Sequence, residues 1–128
     1  MIIEAHRGGV GPPNSMASFG RCLELGLDAI EFDIHLSSDG EIFCLHGKNG
    51  NIGHDYPEHN VSADTPIKEM DSELLSKLRP FGERIPKFED VIELCKLTKT
   101  RLNIDIKTTQ VEIVEPMLEI LDYHKFDR

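Results

Sequence analysis

The sequence lacks several features that mark particular classes of protein. It has no tryptophan, only two tyrosines, and 14 basic against 23 acidic residues, which gives a formal net charge of −9 at pH 7. Nucleic-acid binding depends on basic side chains that contact phosphates and on aromatic side chains that stack on bases. We therefore expect no nucleic-acid partner, and an anionic ligand would need a local cluster of positive charge.

Long apolar runs and paired cysteines are also missing. No stretch approaches the roughly 18 apolar residues of a membrane span, and the start "MIIEAHRG" does not resemble a signal peptide. The three cysteines (Cys22, Cys44 and Cys95) lie far apart among apolar residues, which favours reduced core thiols over disulfides or a zinc site. The sequence therefore predicts a cytoplasmic protein with no transmembrane segment.

The length and the periodicity of the apolar residues predict one α/β domain over residues 1–128. The predicted order is strand, helix, strand, strand, helix, strand, helix. The strands are expected at residues 2–5, 28–36, 41–46 and 101–107, and the main helices at 15–25, 85–98 and 111–126. Pro116 should kink the last helix unless that helix begins there. Strands separated by helices indicate mostly parallel pairing.

A long irregular segment and one short helix complete this prediction. Residues 47–70 are rich in Gly, Asn, His, Pro and Asp, and a loop of that length in a compact domain usually carries function or covers a site. Residues 71–78 begin with a good helix cap and are expected to form one or two helical turns.

Two carboxylates share one face of the second predicted strand. Glu31 and Asp33 alternate with Ile30, Phe32 and Ile34, so the apolar side chains face the covering helices and the acidic ones the opposite side. Two like charges on a half-buried face cost several kcal/mol unless a shared proton or a cation compensates them. A cation site is the interpretation we favour.

Polar residues on the other strands extend this arrangement. Asp105 is expected to supply a third carboxylate, and a set of oxygen ligands suits Mg²⁺ or Ca²⁺. His6 ends the first strand and His46 the third, where parity places it on the face of Ile42 and Cys44. Two histidines beside an ion are suited to proton transfer as a base and an acid. Arg7 and Lys107 would complement a bound phosphate.

Each of these residues also has a structural interpretation. Glu31 and Asp33 are compatible with the charged face of an edge strand, and Asp105 with Lys107 is compatible with a surface ion pair worth about 0–1 kcal/mol. His6 alone would serve as a turn cap. His35 is interpreted as a polar residue leaving the sheet. His54, His59 and His124 are interpreted as solvated side chains.

Four motifs resemble the glycerophosphodiester phosphodiesterase family. They are "AHRGG", "NSMASF", "AIEFDIHLSSDGEIFCLH" and "LNIDIK", in this order along the chain. The resemblance implies a TIM-type barrel and a divalent cation, Mg²⁺ or Ca²⁺, that assists hydrolysis of glycerophosphodiesters to glycerol 3-phosphate and an alcohol. It implies acid/base roles for two residues (His6 and His46), metal binding by three (Glu31, Asp33 and Asp105), and substrate binding by two (Arg7 and Lys107).

The sequence departs from the family pattern at three positions. Pro13 stands where the family has Glu, Gly47 follows His46 where the family has Asp, and Asp105 replaces the usual Glu. Only about four strands are predicted, and these cannot close an eight-stranded barrel. The expectation is therefore a half barrel that assembles as a homo-oligomer to cover its open edge. An inactive binding module of the same fold and an inactive fragment are the alternatives.

Overall fold

The structure is a computed structural model that describes residues 1–107 and 110–126. Its strands are β1 (Glu4–His6), β2 (Ala29–Leu36), β3 (Ile42–Cys44) and β4 (Arg101–Ile106). Its helices are α1 (Met16–Glu24), α2 (Ser72–Lys77), α3 (Phe88–Cys95) and α4 (Val114–Tyr123). This order confirms the one predicted from the sequence. Within the described residues, no helix is long and apolar enough to cross a membrane.

The strands form one open sheet in which β2 pairs with all the others. β1 runs parallel to the start of β2, with His6 opposite Glu31, and β4 runs parallel to β2 from Ala29 to Ile34. β3 returns antiparallel along the end of β2 because the turn between them is short. The sheet is therefore mostly parallel, as predicted, and the hairpin adds an antiparallel strand.

Two predicted strand positions were wrong at their ends. β1 begins at Glu4 instead of Ile2 because its partner β2 begins opposite it at Ala29. β3 ends at Cys44, two residues before His46, and the backbone of Cys44 bonds instead to Pro86 on the segment that precedes α3. Beyond Cys44, the side chains therefore do not alternate between the two faces of the sheet.

The helix side of the sheet carries the main hydrophobic core. Ile30, Phe32 and Ile34 of β2 are fully buried, and Phe32 packs against Phe19 of α1 and Phe88 of α3. Burying side chains of this size stabilises the fold by about 1.5–3 kcal/mol each. The alternation of β2 therefore turns its polar side chains toward the opposite face, as the sequence predicted.

Helix ends follow the sequence signals. The Ser15 side chain caps α1 by accepting a hydrogen bond from Ser18 N, and Gly26, with φ +68°, follows its end. Pro116 is the third residue of α4, after a short 3₁₀ turn at Val111–Ile113. In the first turn of a helix the missing N–H of proline costs no hydrogen bond. The structure thus agrees with the alternative in which the helix begins close to Pro116.

The part of the chain from β3 to the start of α3 forms a second hydrophobic cluster. It contains Phe43 and Leu45 from the β3 strand and its continuation, with Ile52, Ile67 and Leu75 among the residues packed on them. The irregular segment 47–70 thus has a hydrophobic core of its own. We call residues 47–70 the cover segment, and it is attached to the sheet through β3.

Asp39 fastens the β2–β3 turn to the first residue of α2. Its carboxylate accepts hydrogen bonds from the Ser37 hydroxyl (2.6 Å) and from the Ser72 backbone N–H (2.9 Å). The Ser37 and Ser72 hydroxyls lower the pKa of Asp39 from 3.8 to about 2. This link holds the cover against the sheet.

We expect the Asp39 link to make stability depend on pH in the acid range. A carboxyl group with a lowered pKa contributes fully above its unfolded pKa of 3.8, and the contribution disappears as the pH falls to about 2. Asp39→Asn should therefore melt below the wild type at pH 7, and the difference should vanish near pH 2. Thermal unfolding from pH 7 to pH 2 measures it.

Ser72→Ala is the second variant for this prediction, and Ser76→Ala is its control. Ser76 lies on the same helix but donates to the Ser72 carbonyl oxygen instead of to Asp39. Ser72→Ala should reduce the difference in melting temperature between the wild type and Asp39→Asn at pH 7 when both carry it. Ser76→Ala should leave that difference unchanged. A melting difference that is constant with pH would contradict the assignment to Asp39.

Candidate functional site

Three carboxylates meet on the polar face of the sheet. Asp33 lies directly opposite Asp105 in the β2–β4 register, and Glu31 precedes Asp33 by two residues on the same face. Ligand oxygens of the three side chains lie within 4.8 Å of one another. Glu31 and Asp33 are buried, and Asp105 is partly exposed. The structure therefore brings together the three residues that the sequence grouped as metal ligands.

Two basic side chains contact this acidic cluster. Arg7 Nε lies 3.3 Å from Asp33 Oδ2, and Lys107 Nζ lies 2.9 Å from Asp105 Oδ2 and 3.8 Å from Asp33 Oδ1. The hydrogen bond to Asp105 raises the pKa of Lys107. The sequence-predicted phosphate ligands thus stand beside the carboxylates, and they offset part of the negative charge.

The donor set fits a hard divalent cation. All three ligands offer oxygen atoms, which Mg²⁺ and Ca²⁺ prefer. Three carboxylates face two basic groups, so the cluster keeps an excess negative charge that a cation would compensate. Asp105 is the partly exposed member, with its side chain 44% accessible, so the cluster opens to solvent on that side.

Asn14 holds Asp33 in place, a role that the sequence did not reveal. Its Nδ2 donates to Asp33 Oδ2 (3.0 Å), and its Oδ1 accepts from the Asp33 backbone N–H (3.1 Å). Asn14 is buried and has φ +54°, in the left-handed region where asparagine is enriched. The available sequence signal is an asparagine that directly follows two prolines.

His6 lies beside the acidic cluster at the end of β1. Its Nε2 is 3.6 Å from Glu31 Oε2, and its side chain is 72% exposed. The next residue, Arg7, donates its backbone N–H to Glu31 Oε2 at 3.0 Å. Glu31 therefore connects the acidic cluster to a solvent-accessible imidazole.

His46 reaches the site by a route that strand parity did not predict. Parity placed it with Ile42 and Cys44, which face the helices, but β3 ends at Cys44 and the side chain instead borders two cavities. His46 Nδ1 lies 2.6 Å from the Gly47 carbonyl oxygen. Because a carbonyl oxygen only accepts, Nδ1 carries a proton and Nε2 is the nitrogen available for proton exchange.

His35 supports His46 from the end of β2. It is buried on the face of Glu31 and Asp33, and its Nε2 donates to the His46 carbonyl oxygen at 3.0 Å. Burial lowers the pKa of His35, which keeps the imidazole neutral. His35 thus has a structural contact, as interpreted, but it does not leave the sheet: it is buried within β2 and pairs with Phe43 of β3.

Gly47 explains how the chain accommodates one departure from the family pattern. A Cβ at this position would lie 2.5 Å from the Asn51 carbonyl oxygen and 2.8 Å from Ile67 Cδ1, and φ is +67°. The Asn51 backbone closes a tight turn with Lys48 directly over this position. The Gly47 carbonyl contacts the His46 ring, so the backbone orients the histidine where an aspartate side chain is missing.

Restoring the family residue is therefore expected to destabilise this chain. Gly47→Asp should lower the free energy of unfolding by about 1–3 kcal/mol from backbone strain and further from the contact with Asn51. Gly50→Asp is the matched control, because Gly50 has φ +86° but no atom within 4 Å of its Cβ position. Denaturant unfolding compares them. Equal losses for the two variants would mean that the contact with Asn51 is unimportant.

The chain matches one protein family over most of its length. The model of the glycerophosphoryl diester phosphodiesterase family matches residues 6–125. The glycerophosphodiester phosphodiesterase of Caldanaerobacter subterraneus subsp. tengcongensis is 29% identical over 139 residues, which cover 98% of this chain and 54% of that protein. The chain thus spans about half the length of the curated relatives it matches.

Solved structures of similar proteins share the fold. A candidate glycerophosphodiester phosphodiesterase from Galdieria sulphuraria superposes with a TM-score of 0.84 at 24% identity, covering 98% of this chain and 52% of that one. A phosphodiesterase from Oleispira antarctica, solved with the product sn-glycerol-3-phosphate, gives a TM-score of 0.80 at 24% identity, covering 97% of this chain and 53% of that one. The predicted fold, an open part of a TIM-type barrel, is confirmed.

Proposed function

Because the chain belongs to the glycerophosphoryl diester phosphodiesterase family, we propose that it acts as a metal-dependent phosphodiester hydrolase. Its products would be glycerol 3-phosphate and an alcohol. One observation carries the proposal: Glu31, Asp33 and Asp105 gather within 4.8 Å of one another beside two basic side chains and His6.

The carboxylates would hold the divalent cation, Mg²⁺ or Ca²⁺. When bound, the ion would polarise the phosphoryl oxygens and stabilise negative charge that develops on them. Asn14 fixes Asp33 for this role, and the Arg7 backbone N–H fixes Glu31. The binding site is thus held by hydrogen bonds that do not depend on the ion.

The basic side chains and the histidines would carry out the remaining steps. Arg7 and Lys107 would bind phosphoryl oxygens of the substrate. His6 and His46 would exchange protons with the attacking water and the leaving oxygen, one as base and the other as acid. His46 would act through Nε2, since its Nδ1 proton is directed to the Gly47 carbonyl oxygen.

A hydrolysis assay tests the proposed function. Purified chain is incubated with glycerophosphoethanol, and released glycerol 3-phosphate is measured with Ca²⁺, with Mg²⁺ and with a chelator. Metal-dependent turnover would support the proposal. Binding of the ion without turnover would support the alternative, an inactive binding module, which is favoured by the open sheet and by the changes at Pro13 and Gly47.

We also propose that the chain forms a homo-oligomer. Among the described strands, none pairs with the outer edge of β4. Ile106 is 39% exposed, and an open groove runs past Leu102, Ile104 and Phe126. Exposed strand edges with apolar surroundings favour association. Light scattering should give a mass of at least twice 14.5 kDa, and a stable monomer would contradict the proposal.

The three buried free cysteines support a reducing compartment, and we propose the cytoplasm.

A further inference from the structure

Two cavities meet at His46, and they differ in chemistry. A cavity of about 320 Å³ lies under the cover segment, and one of about 580 Å³ lies on the side of Lys107. His46 lines both cavities. A phosphodiester has two ester arms, and two cavities on either side of a proton-exchanging histidine would receive one arm each.

The smaller cavity has both apolar and polar lining residues. Arg7, Asn14 and His46 are among the polar ones, and Arg7 and Asn14 also contact Asp33 of the acidic cluster. The apolar wall is made by side chains from three segments of the chain: Pro13, Leu45, Ile52, Tyr56, Phe81 and Ile85. Its volume lies at the lower limit of small-molecule sites, which are mostly apolar with a few polar groups that fix orientation. An occupant would thus be apolar and continuous with the phosphate.

The lining of the smaller cavity offers no excess of carboxylates to a cationic arm. Two of its basic side chains are already paired, Arg7 with Asp33 and Arg84 with Asp90. The remaining charged pair, Lys48 and Glu83, has one group of each sign, so an ammonium group would gain no net attraction from the lining. A neutral apolar arm would gain from leaving water.

Phe81 stands at this cavity in an unusual conformation. It has φ +55°, which is uncommon for a bulky residue, and it is 65% exposed. Its ring packs edge-to-face on His54, with centroids 5.8 Å apart. Residues in strained backbone conformations cluster at ligand-binding and active sites. The ring extends the apolar wall outward.

The larger cavity suits the other half of the substrate. Lys68 and Lys107 line it together with Asn49 and Asn51. Ammonium groups complement a phosphate, and amide side chains bond hydroxyl groups. The glycerol phosphate half of the substrate has a phosphate group and hydroxyl groups. It therefore matches the larger cavity better than the apolar one.

We propose that the substrate of this chain is a phosphodiester of glycerol phosphate and an apolar alcohol, with the alcohol bound in the cavity edged by Phe81. The proposal rests on the proposed function and specifies its leaving group. In the reaction, water oxygen bonds to phosphorus as the bond from phosphorus to the alcohol oxygen breaks. One histidine takes a proton from the water, and the other donates one to the departing oxygen.

The test measures binding, so it does not depend on turnover. Titration calorimetry with Ca²⁺ present, in a His6→Ala background that slows hydrolysis, compares glycerophosphoethanol, glycerophosphobutanol and glycerophosphohexanol. Affinity should rise with chain length by up to about fourfold per methylene, the increment for full burial. Phe81→Ala should flatten this rise. Leu97→Ala, at an exposed apolar residue that lines none of the described cavities, should preserve it.

Three results would overturn the proposal. Affinity that is independent of chain length, with glycerol 3-phosphate still bound, would reject the apolar arm and leave the proposed function standing. A chain-length effect that Phe81→Ala does not reduce would show that the arm binds elsewhere. Tighter binding of glycerophosphocholine than of glycerophosphobutanol would assign the cavity to a cationic arm. If glycerol 3-phosphate and all three esters fail to bind, the proposed function fails as well.

Discussion

Replacing Asp33 by Asn is expected to reduce divalent-ion affinity by at least about 100-fold and to abolish measurable turnover. Changes to groups that merely support metal ligands cost about 10–100-fold in affinity or activity, and we propose Asp33 as the central ligand itself. Its side chain is 1% exposed and contacts both Arg7 and Lys107. Titration calorimetry with Ca²⁺ and with Mg²⁺ measures the affinity.

Asp64→Asn is the matched control for this experiment. It introduces the same isosteric change in the cover segment. There the Asp64 carboxylate accepts a hydrogen bond from the hydroxyl of the exposed Ser62. Asp33 is itself a buried charge that pairs with Arg7 and Lys107, so its replacement is expected to lower stability. Asp105→Asn separates the two effects, because Asp105 is 44% exposed; it should lose ion affinity and keep its melting temperature. Unchanged affinity in both Asp33→Asn and Asp105→Asn would contradict the cation site.

Replacing either histidine is expected to reduce turnover about 10²–10⁴-fold, the usual contribution of general acid/base catalysis. Ion affinity should be kept, because neither imidazole belongs to the acidic cluster. His46→Ala removes Nε2 between the two cavities, and His6→Ala removes the imidazole beside Glu31. Initial rates with glycerophosphobutanol, measured across pH 5–9, test both variants.

His59→Ala provides the control for the two histidine variants. His59 lies in a 3₁₀ turn of the cover and lines none of the described cavities. It should leave the rate and the pH profile unchanged. If His6→Ala and His46→Ala each remove one limb of a bell-shaped profile, the base and the acid are assigned. Wild-type rates in either variant would exclude that residue from proton transfer.

The sequence was sufficient to predict the parts of the site that depend on strand alternation. Glu31 and Asp33 alternate with apolar residues along an eight-residue strand, and strand geometry then fixes their common face. Asp105 follows from the parallel pairing of β4 with β2. The same reasoning failed at His46, because alternation ends where a strand ends, and β3 is only three residues long.

Contacts made by loops were less predictable. Asn14 and Asp33 are 19 residues apart and meet only because the loop after β1 folds back over the sheet. The cover segment contains turns and 3₁₀ helices, whose side chains follow no period that a pattern search detects. Gly47 appeared to be a loss relative to the family, although its backbone geometry accounts for it.

The position of β3 between two hydrophobic clusters has a consequence for motion. Ile42 and Cys44 pack with the sheet core, while Phe43 belongs to the cluster of the cover segment. Amide hydrogens of the cover should therefore exchange with solvent in a group of their own, at lower opening free energy than those of β2. Transient detachment of such a unit would admit a long ligand beneath it while the carboxylates on β2 and β4 stay in register.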